Sequence, residues 1–271
     1  MERSLYPLKF NPVYKTPIWG GEKLKKLLGK SDAPPSTGES WEVSGVPGNV
    51  SVVANGFLAG NPLDDLIEVY MGDLVGDEVF DRFGTEFPVL IKFIDANDHL
   101  SVQVHPDDEY AAEHHGARGK TEMWYVIDAE KNASLISGFS RDVSKEEFRK
   151  QMEAGKLKDI LNFEPVAPGD VFFLPAKRVH AIGKGIVLAE IQQTSDVTYR
   201  IYDWDRVDAD GNPRELHLDH ALEVMDYRKR SDIRTGYDRL PNSTVSLADC
   251  EYFTTGLIEF DDVVDKDFSM I

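Results

Sequence analysis

Short apolar runs rich in Val, Ile, Phe and Tyr recur along most of the chain, with Pro and Gly between them. This pattern restricts the fold more than any other feature. Residues 39–45, 89–95, 100–104, 123–127, 133–137, 163–166, 171–174, 186–193, 198–202 and 251–260 read as strands. Helical spacing is confined to a few places. Residues 61–70 carry Leu63, Leu66, Ile67 and Tyr70 on one face, with Asn61 as the expected cap and Pro62 in the first turn. Residues 144–155 open on the capping sequence S-K-E-E and place Phe148 and Met152 four apart. Residues 106–115 and 218–225 are the other expected helices, and 30–38, K-S-D-A-P-P-S-T-G, is a loop. Strands do not alternate regularly with helices, which argues against a doubly wound fold. A mainly β sandwich or barrel with inserted and appended helices is expected.

The 271 residues, 41% of them hydrophobic, suffice for one large core or two modest ones. No apolar run approaches the ~18 residues of a membrane span. The first ten residues lack the basic-then-apolar layout of a secretory leader. The lone cysteine, Cys250, excludes an internal disulfide framework and a Cys-rich zinc site, and it fits a reducing cytoplasm. Any metal must therefore be held by His, Glu, Asp or Gln. The net charge of −18 repels nucleic acid and anionic membranes. It also repels a phosphorylated ligand, unless Lys and Arg reverse the potential locally.

Four stretches stand out together. In S-V-Q-V-H-P, strand alternation puts Gln103 and His105 on one face and Val102 and Val104 on the other. Two polar side chains directed into a barrel are costly unless something binds them. A solvent-facing strand would give the same alternation. In K-T-E-M-W-Y, Glu122 enters an apolar strand two residues after Lys120, where a simple surface ion pair is the alternative. In the third, P-G-D precedes an apolar strand and His180 falls just beyond it. In the fourth, Arg200 sits mid-strand among aromatic residues and, if inward, needs an anionic partner. Gln103, His105, Glu122 and His180 lie in that order on successive strands and can meet at one interior point. Imidazole and carboxylate donors suit zinc. One carboxylate leaves the ion a net positive charge with which to polarise a bound oxygen. A jelly roll is the natural scaffold for such a site.

With W-G-G at Trp19–Gly21, G-E-S-W-E-V-S at 38–44, L-S-V-Q-V-H-P at 100–106, K-T-E-M-W-Y at 120–125, P-A-x-x-V-H-A at 175–181 and E-I-Q-Q-T-S-D-V-T-Y-R-I-Y-D at 190–203, the chain resembles the type I mannose-6-phosphate isomerases, in their short bacterial form. The likeness spans residues 7–228. It implies a cupin-type double-stranded β-helix that uses zinc to interconvert mannose 6-phosphate and fructose 6-phosphate. It also implies Gln103, His105, Glu122 and His180 as metal ligands and Arg200 as the active-site arginine. Glu39 and Glu190 become pocket carboxylates, Lys92 and Lys120 pocket lysines, and Ser101 a neighbour of the substrate phosphate. Arg206 stands where some relatives carry a phosphate-side lysine.

Aldose–ketose isomerisation requires a base near C1 and C2, an electrophile near the sugar oxygens and a dry pocket. Metal and Arg200 are expected to stabilise the oxyanion. Glu190 or Lys120 is expected to carry the proton, and the sequence does not choose between them. Ser101, Lys92 and Arg206 are expected to anchor the phosphate. A cupin oxygenase and a non-catalytic sugar-phosphate sensor are the alternatives. The first departs from the G-x-x-x-x-x-H-x-H start, and the second leaves Lys92, Lys120, Glu190 and Arg200 without a purpose. Residues 1–240 are expected to form the metal-binding domain, and 241–271 the start of a shortened or truncated second β-domain. A monomer and a dimer are equally compatible with the sequence.

Overall fold

Alternation along each strand sorts side chains to two faces, and the two faces meet different partners. The computed structural model describes residues 4–207 and 210–266. Its strands are β1 (Phe10–Asn11), β2 (Val13–Lys15), β3 (Glu39–Val43), β4 (Val52–Val53), β5 (Val89–Ala96), β6 (Val102–Val104), β7 (Glu122–Ala129) and β8 (Ser134–Phe139). There follow β9 (Leu161–Pro165), β10 (Val171–Leu174), β11 (His180–Ala181), β12 (Ile186–Gln193), β13 (Tyr199–Tyr202), β14 (Thr244–Asp249) and β15 (Thr254–Ile258). The α-helices are α1 (Lys23–Leu28), α2 (Leu63–Tyr70), α3 (Gly72–Val75), α4 (Asp77–Phe83), α5 (Asp108–His115), α6 (Lys145–Glu153) and α7 (Leu218–Val224).

Two antiparallel sheets form the body. One has the order β10-β7-β12-β5-β3-β2 and the other β13-β6-β11-β8-β9. Between them lies an apolar cluster that includes Ile94, Trp124, Val126, Leu135, Phe172, Leu174 and Leu188. Val102, Val104, Ile136, Ala181, Tyr199 and Ile201 point the other way, off the five-stranded sheet. They pack under Phe148 of α6 and Ala221, Leu222 and Val224 of α7. The outer face of the six-stranded sheet is covered by the β14–β15 hairpin, whose Leu247, Ala248 and Leu257 meet Met123, Tyr125, Val171 and Ile191. The fold is thus the expected β sandwich of cupin type with helices added outside.

Local chemistry places the helices. Ser144 Oγ accepts the Glu147 N–H at 3.1 Å, so the S-K-E-E start caps α6 as expected. Asp107 caps α5 by accepting the Tyr110 N–H. The α2 start differs from expectation. Its first helical residue is Leu63, and Asn61 instead donates from its amide to the Leu58 carbonyl. Helices α1, α3 and α4 and strands β1, β2, β4, β11 and β14 were not expected. Each helix is seven residues or fewer, too short for apolar spacing to stand out. Among the described residues no helix is long and apolar enough to cross a membrane.

Phe148 is the residue through which α6 holds the five-stranded sheet. It is fully buried, with ring centroids 6.1 Å from those of both Phe139 and Tyr227. Phe148→Ala is expected to cost about 3–5 kcal/mol, the usual range for a buried aromatic truncated to Ala. Denaturant unfolding measures this, and a loss below about 1 kcal/mol would show that α6 is not anchored there.

Candidate active site

Hydrogen-bonded register lines up two facing rows of polar side chains. Across the five-stranded sheet, His180 is paired with Ser137 on one side and Gln103 on the other, and Gln103 is paired in turn with Arg200. Across the six-stranded sheet, Glu190 lies between Trp124 and Lys92, and Lys92 is paired with Trp41. Glu122 lies opposite Gln192. All of these occupy inward positions of their strands, where the apolar cluster gives way to polar residues.

His105, Glu122 and His180 converge, with one ligand atom from each lying within 4.8 Å of the others. Each imidazole is oriented by a backbone carbonyl. His105 Nδ1 is 2.9 Å from Val197 O, and His180 Nδ1 is 2.8 Å from Arg178 O. A carbonyl only accepts, so both Nδ1 atoms carry the proton and both Nε2 atoms present bare lone pairs in the neutral rings. Those Nε2 atoms are 3.1 Å apart. Burial holds His105 well below the ordinary histidine value, with Lys120 and His180 adding to the effect. Burial lowers His180 as well, against the pull of Glu122. Glu122 is wholly buried and neither of its oxygens accepts a hydrogen bond, although Lys120 Nζ is 2.8 Å from Oε2 as an ion pair. Two lone pairs and an unsatisfied carboxylate aimed at one point fit a divalent cation. The Gln103 amide nitrogen lies 3.4 Å from His180 Nε2, at the edge of this group.

A cavity of about 280 Å³ opens beside the three residues. Glu39, Lys92, Ser101, Gln103, Lys120, Glu190 and Arg200 all line it, so the fold gathers them from separate strands. Trp19, Ile94, Leu100 and Ile182 give it an apolar wall. The W-G-G and G-E-S sequences meet at this wall. A Cβ on Gly38 would fall 2.6 Å from the Trp19 ring, and one on Gly20 would fall 2.2 Å from Ser36 O. Only glycine lets the two segments approach so closely.

Lys92 is buried between two carboxylates, 2.8 Å from Glu190 and 3.6 Å from Glu39. Its charge is therefore already matched within the protein. Glu190 also accepts the Trp124 indole N–H at 2.7 Å, and Glu39 accepts the Trp41 indole N–H at 2.7 Å. Lys120 Nζ lies 3.1 Å from His105 Nε2 and 3.8 Å from Glu190. Arg206 does not line the cavity. It is tied to Asp203 at 2.5 Å and faces Asp98 at 3.7 Å. Arg214, which the sequence reading passed over, does line it. Its segment, N-P-R-E-L, shows no strand or helix period. A lone arginine in a polar loop gives no sequence signal.

A family model described as phosphomannose isomerase type I, catalytic domain, matches residues 7–151. The mannose-6-phosphate isomerase of Streptococcus mutans serotype c is 43% identical over 249 residues, covering 92% of this chain and 77% of that protein. The crystal structure of the mannose 6-phosphate isomerase from Bacillus subtilis superposes with a TM-score of 0.81 at 38% identity, covering 92% of this chain and 78% of the other. A zinc-bound mannose 6-phosphate isomerase, 16% identical, shares the fold with a TM-score of 0.68 over 89% of this chain and 80% of the other.

Burial alone would raise the Glu190 carboxyl, but Lys92 and Lys120 outweigh it and hold it at about 2. Burial opposes the charge of Lys92, yet Glu190 and Glu39 raise its value overall. A depressed carboxyl stabilises the fold above its unfolded value, near ~4.3, and that contribution fades as pH falls toward 2. A raised lysine stabilises below its unfolded value, near ~10.4, and its contribution is lost as pH climbs through the folded value. The pair should thus give constant stability from about pH 5 to 10. Melting temperature against pH checks this: Glu190→Gln should flatten the fall between roughly pH 4.3 and 2. An acid limb identical to wild type would show that Glu190 is not ionised by its neighbours.

Proposed function

The chain belongs to the type I phosphomannose isomerase family, and we propose that its cavity interconverts mannose 6-phosphate and fructose 6-phosphate by moving a proton between C1 and C2. The observation that carries this reading is Lys120. One amine touches His105 and Glu122, approaches Glu190 and opens onto a cavity that also contains Arg200. Acid–base and electrophilic groups are thereby gathered around one small, partly apolar space.

Zinc is the proposed ion, held by His105, Glu122, His180 and, with its amide turned oxygen-first, Gln103. Bound there it would supply Lewis acidity toward the sugar oxygens. Glu190, fixed as an anion at about 2, is a poor base at neutral pH. Its role is to hold Lys120 in place. Lys120, acting in its free-amine form, takes the proton from C2; the C–H electrons form the C1–C2 double bond of the enediol and the C1 carbonyl pair moves onto O1. The proton then returns to C1 as the O2 proton passes to O1 and the C2 carbonyl forms. Arg200 is no base, because a guanidinium keeps its protons. It meets the negative charge that develops on the sugar oxygen. Trp19, Ile94, Leu100 and Ile182 keep water from the enediol. Ser101, also in the cavity, donates its hydroxyl to the phosphate end. The cytoplasm is the proposed compartment, which suits a free Cys250.

Two measurements test this. Elemental analysis should find one divalent metal per chain in the wild type and substoichiometric metal in His180→Ala. Full retention with unchanged affinity would remove His180 from the ligand set. A coupled assay on mannose 6-phosphate should lose turnover after chelation and regain it with zinc. In the same assay Arg200→Ala should lose about 100-fold or more in turnover, the usual cost of one preorganised donor, while keeping metal and melting temperature. Arg200→Lys should recover little, since a point charge cannot reproduce the guanidinium fork. Near-normal turnover in a folded Arg200→Ala protein would refute the electrophilic role.

A further inference from the structure

We propose that Arg214, braced by Asp203, is the residue that selects the phosphorylated substrate, and that Arg206 serves to hold Asp203 in place. The inference rests on the sugar-phosphate reading of the cavity and assigns its charge recognition to a particular pair.

Two arginines hold one buried carboxylate, and a third, Arg200, stands near them. Arg214 Nε donates to Asp203 Oδ2 at 2.7 Å, and its terminal nitrogen donates to Oδ1. Arg206 reaches the same Oδ1 from the other side. Asp203 is only 5% exposed, so this carboxylate is a fixed internal anchor. Arg200 has no carboxylate partner within ion-pair distance among the described residues. One of its terminal nitrogens donates to the Glu215 carbonyl, and its Nε is buried with no hydrogen-bond partner. The other carboxylates nearby are Asp98, half exposed and 3.7 Å from Arg206, the mainly exposed Glu215, and Asp196 in the cavity lining. The lysines cannot supply the missing anion recognition, because Lys92 and Lys120 are each matched to glutamates.

Only two of the three arginines line the cavity, Arg200 and Arg214. They are close enough that Arg214 adds to burial in pulling Arg200 below the usual arginine value. On this side the cavity lining carries two guanidiniums, Arg200 and Arg214, against one carboxylate, Asp196, while Asp203 is shared by Arg206 and Arg214, so positive charge is in surplus at the cavity. A phosphomonoester carries about −1.5 to −2 at neutral pH and three acceptor oxygens, and so matches that surplus. Bidentate anchoring on Asp203 fixes the plane of Arg214, so its remaining donor edge is preorganised.

The experiment uses the metal-loaded enzyme and compares Arg214→Gln with Arg206→Gln. The readouts are kcat, KM for mannose 6-phosphate, and direct calorimetric binding of inorganic phosphate and of fructose 6-phosphate. Arg214→Gln should raise KM and weaken both bindings by about 10- to 100-fold, the range lost with one charge-assisted donor. Its kcat should stay within about threefold, because the reacting carbons lie at Lys120 and Arg200 rather than at Arg214. Arg206→Gln removes one of the two braces on Asp203 and should weaken both bindings by a smaller factor, about threefold. If Arg214→Gln does not fold, Arg214→Lys replaces it, and an intermediate loss in phosphate affinity is then expected. Unchanged phosphate affinity in a folded Arg214 variant overturns the proposal, as does an equal loss in Arg206→Gln. If the wild type binds inorganic phosphate through Arg214 yet does not isomerise mannose 6-phosphate, the functional reading falls and the anion site stands.

Discussion

A buried carboxylate that accepts no hydrogen bond sets the terms for the whole interior. Glu122 is removed from water, and removing an anion from water costs several kcal/mol unless charge or donors repay it. The strand that carries it gives no freedom to escape: Trp124 and Val126, on the same face, are locked in the apolar cluster. Opposite it, two backbone carbonyls dictate which nitrogen of each histidine is protonated, so the Nε2 lone pairs meet face to face. Both arrangements are unfavourable alone. A divalent cation drawn to these three donors would relieve both.

The overall charge of −18 makes any anionic substrate an unlikely guest for this surface. The interior answers locally. On the six-stranded sheet, each carboxylate of the cavity is matched by a lysine or an indole N–H. On the opposite side, the lining carries two arginines, Arg200 and Arg214, and one carboxylate, Asp196. The cavity is thus divided between a neutralised wall and a cationic one. Field strength in such a recess depends on the nearest few charges much more than on the net charge of the chain.

Much of this was legible in the sequence. The Val/Ile/Phe/Tyr runs marked most of the longer strands, and the Q-x-H alternation put Gln103 and His105 on one face, opposite Val102 and Val104, without saying which face is inward. Order along the chain was enough to group Glu122 and His180 with them. What the sequence could not carry was register. Lys92 reads as a free lysine in an apolar strand until pairing sets it between Trp41 and Glu190 on neighbouring strands. That pairing gives the expected phosphate anchor two carboxylate partners within the protein. The exchange of Arg206 for Arg214 at the cavity has the same origin. Both sit in a loop without periodicity, and only the fold decides which of them faces inward. The short α1 and α4 were missed because six or seven residues give too few turns for an apolar face to repeat.

Lys92 also explains why two carboxylates can share this wall. Glu39 and Glu190 come from β3 and β12, on either side of β5, and both reach the Lys92 ammonium from opposite flanks. Without that charge between them, two buried like charges would favour protonation of one. The cavity would then lose the fixed anion that faces Lys120. The Trp124 indole holds Glu190 Oε2 and leaves Oε1 to Lys92, whereas the Trp41 indole and Lys92 both approach Oε2 of Glu39. Trp124 also packs edge-on against His180 at 5.5 Å, so the same side chain supports a histidine of the three-donor cluster and the carboxylate beside it. The lysine–glutamate wall and the His105–Glu122–His180 cluster are therefore held by shared side chains. A change that loosens one, even in the apolar row behind it, must be felt in the other.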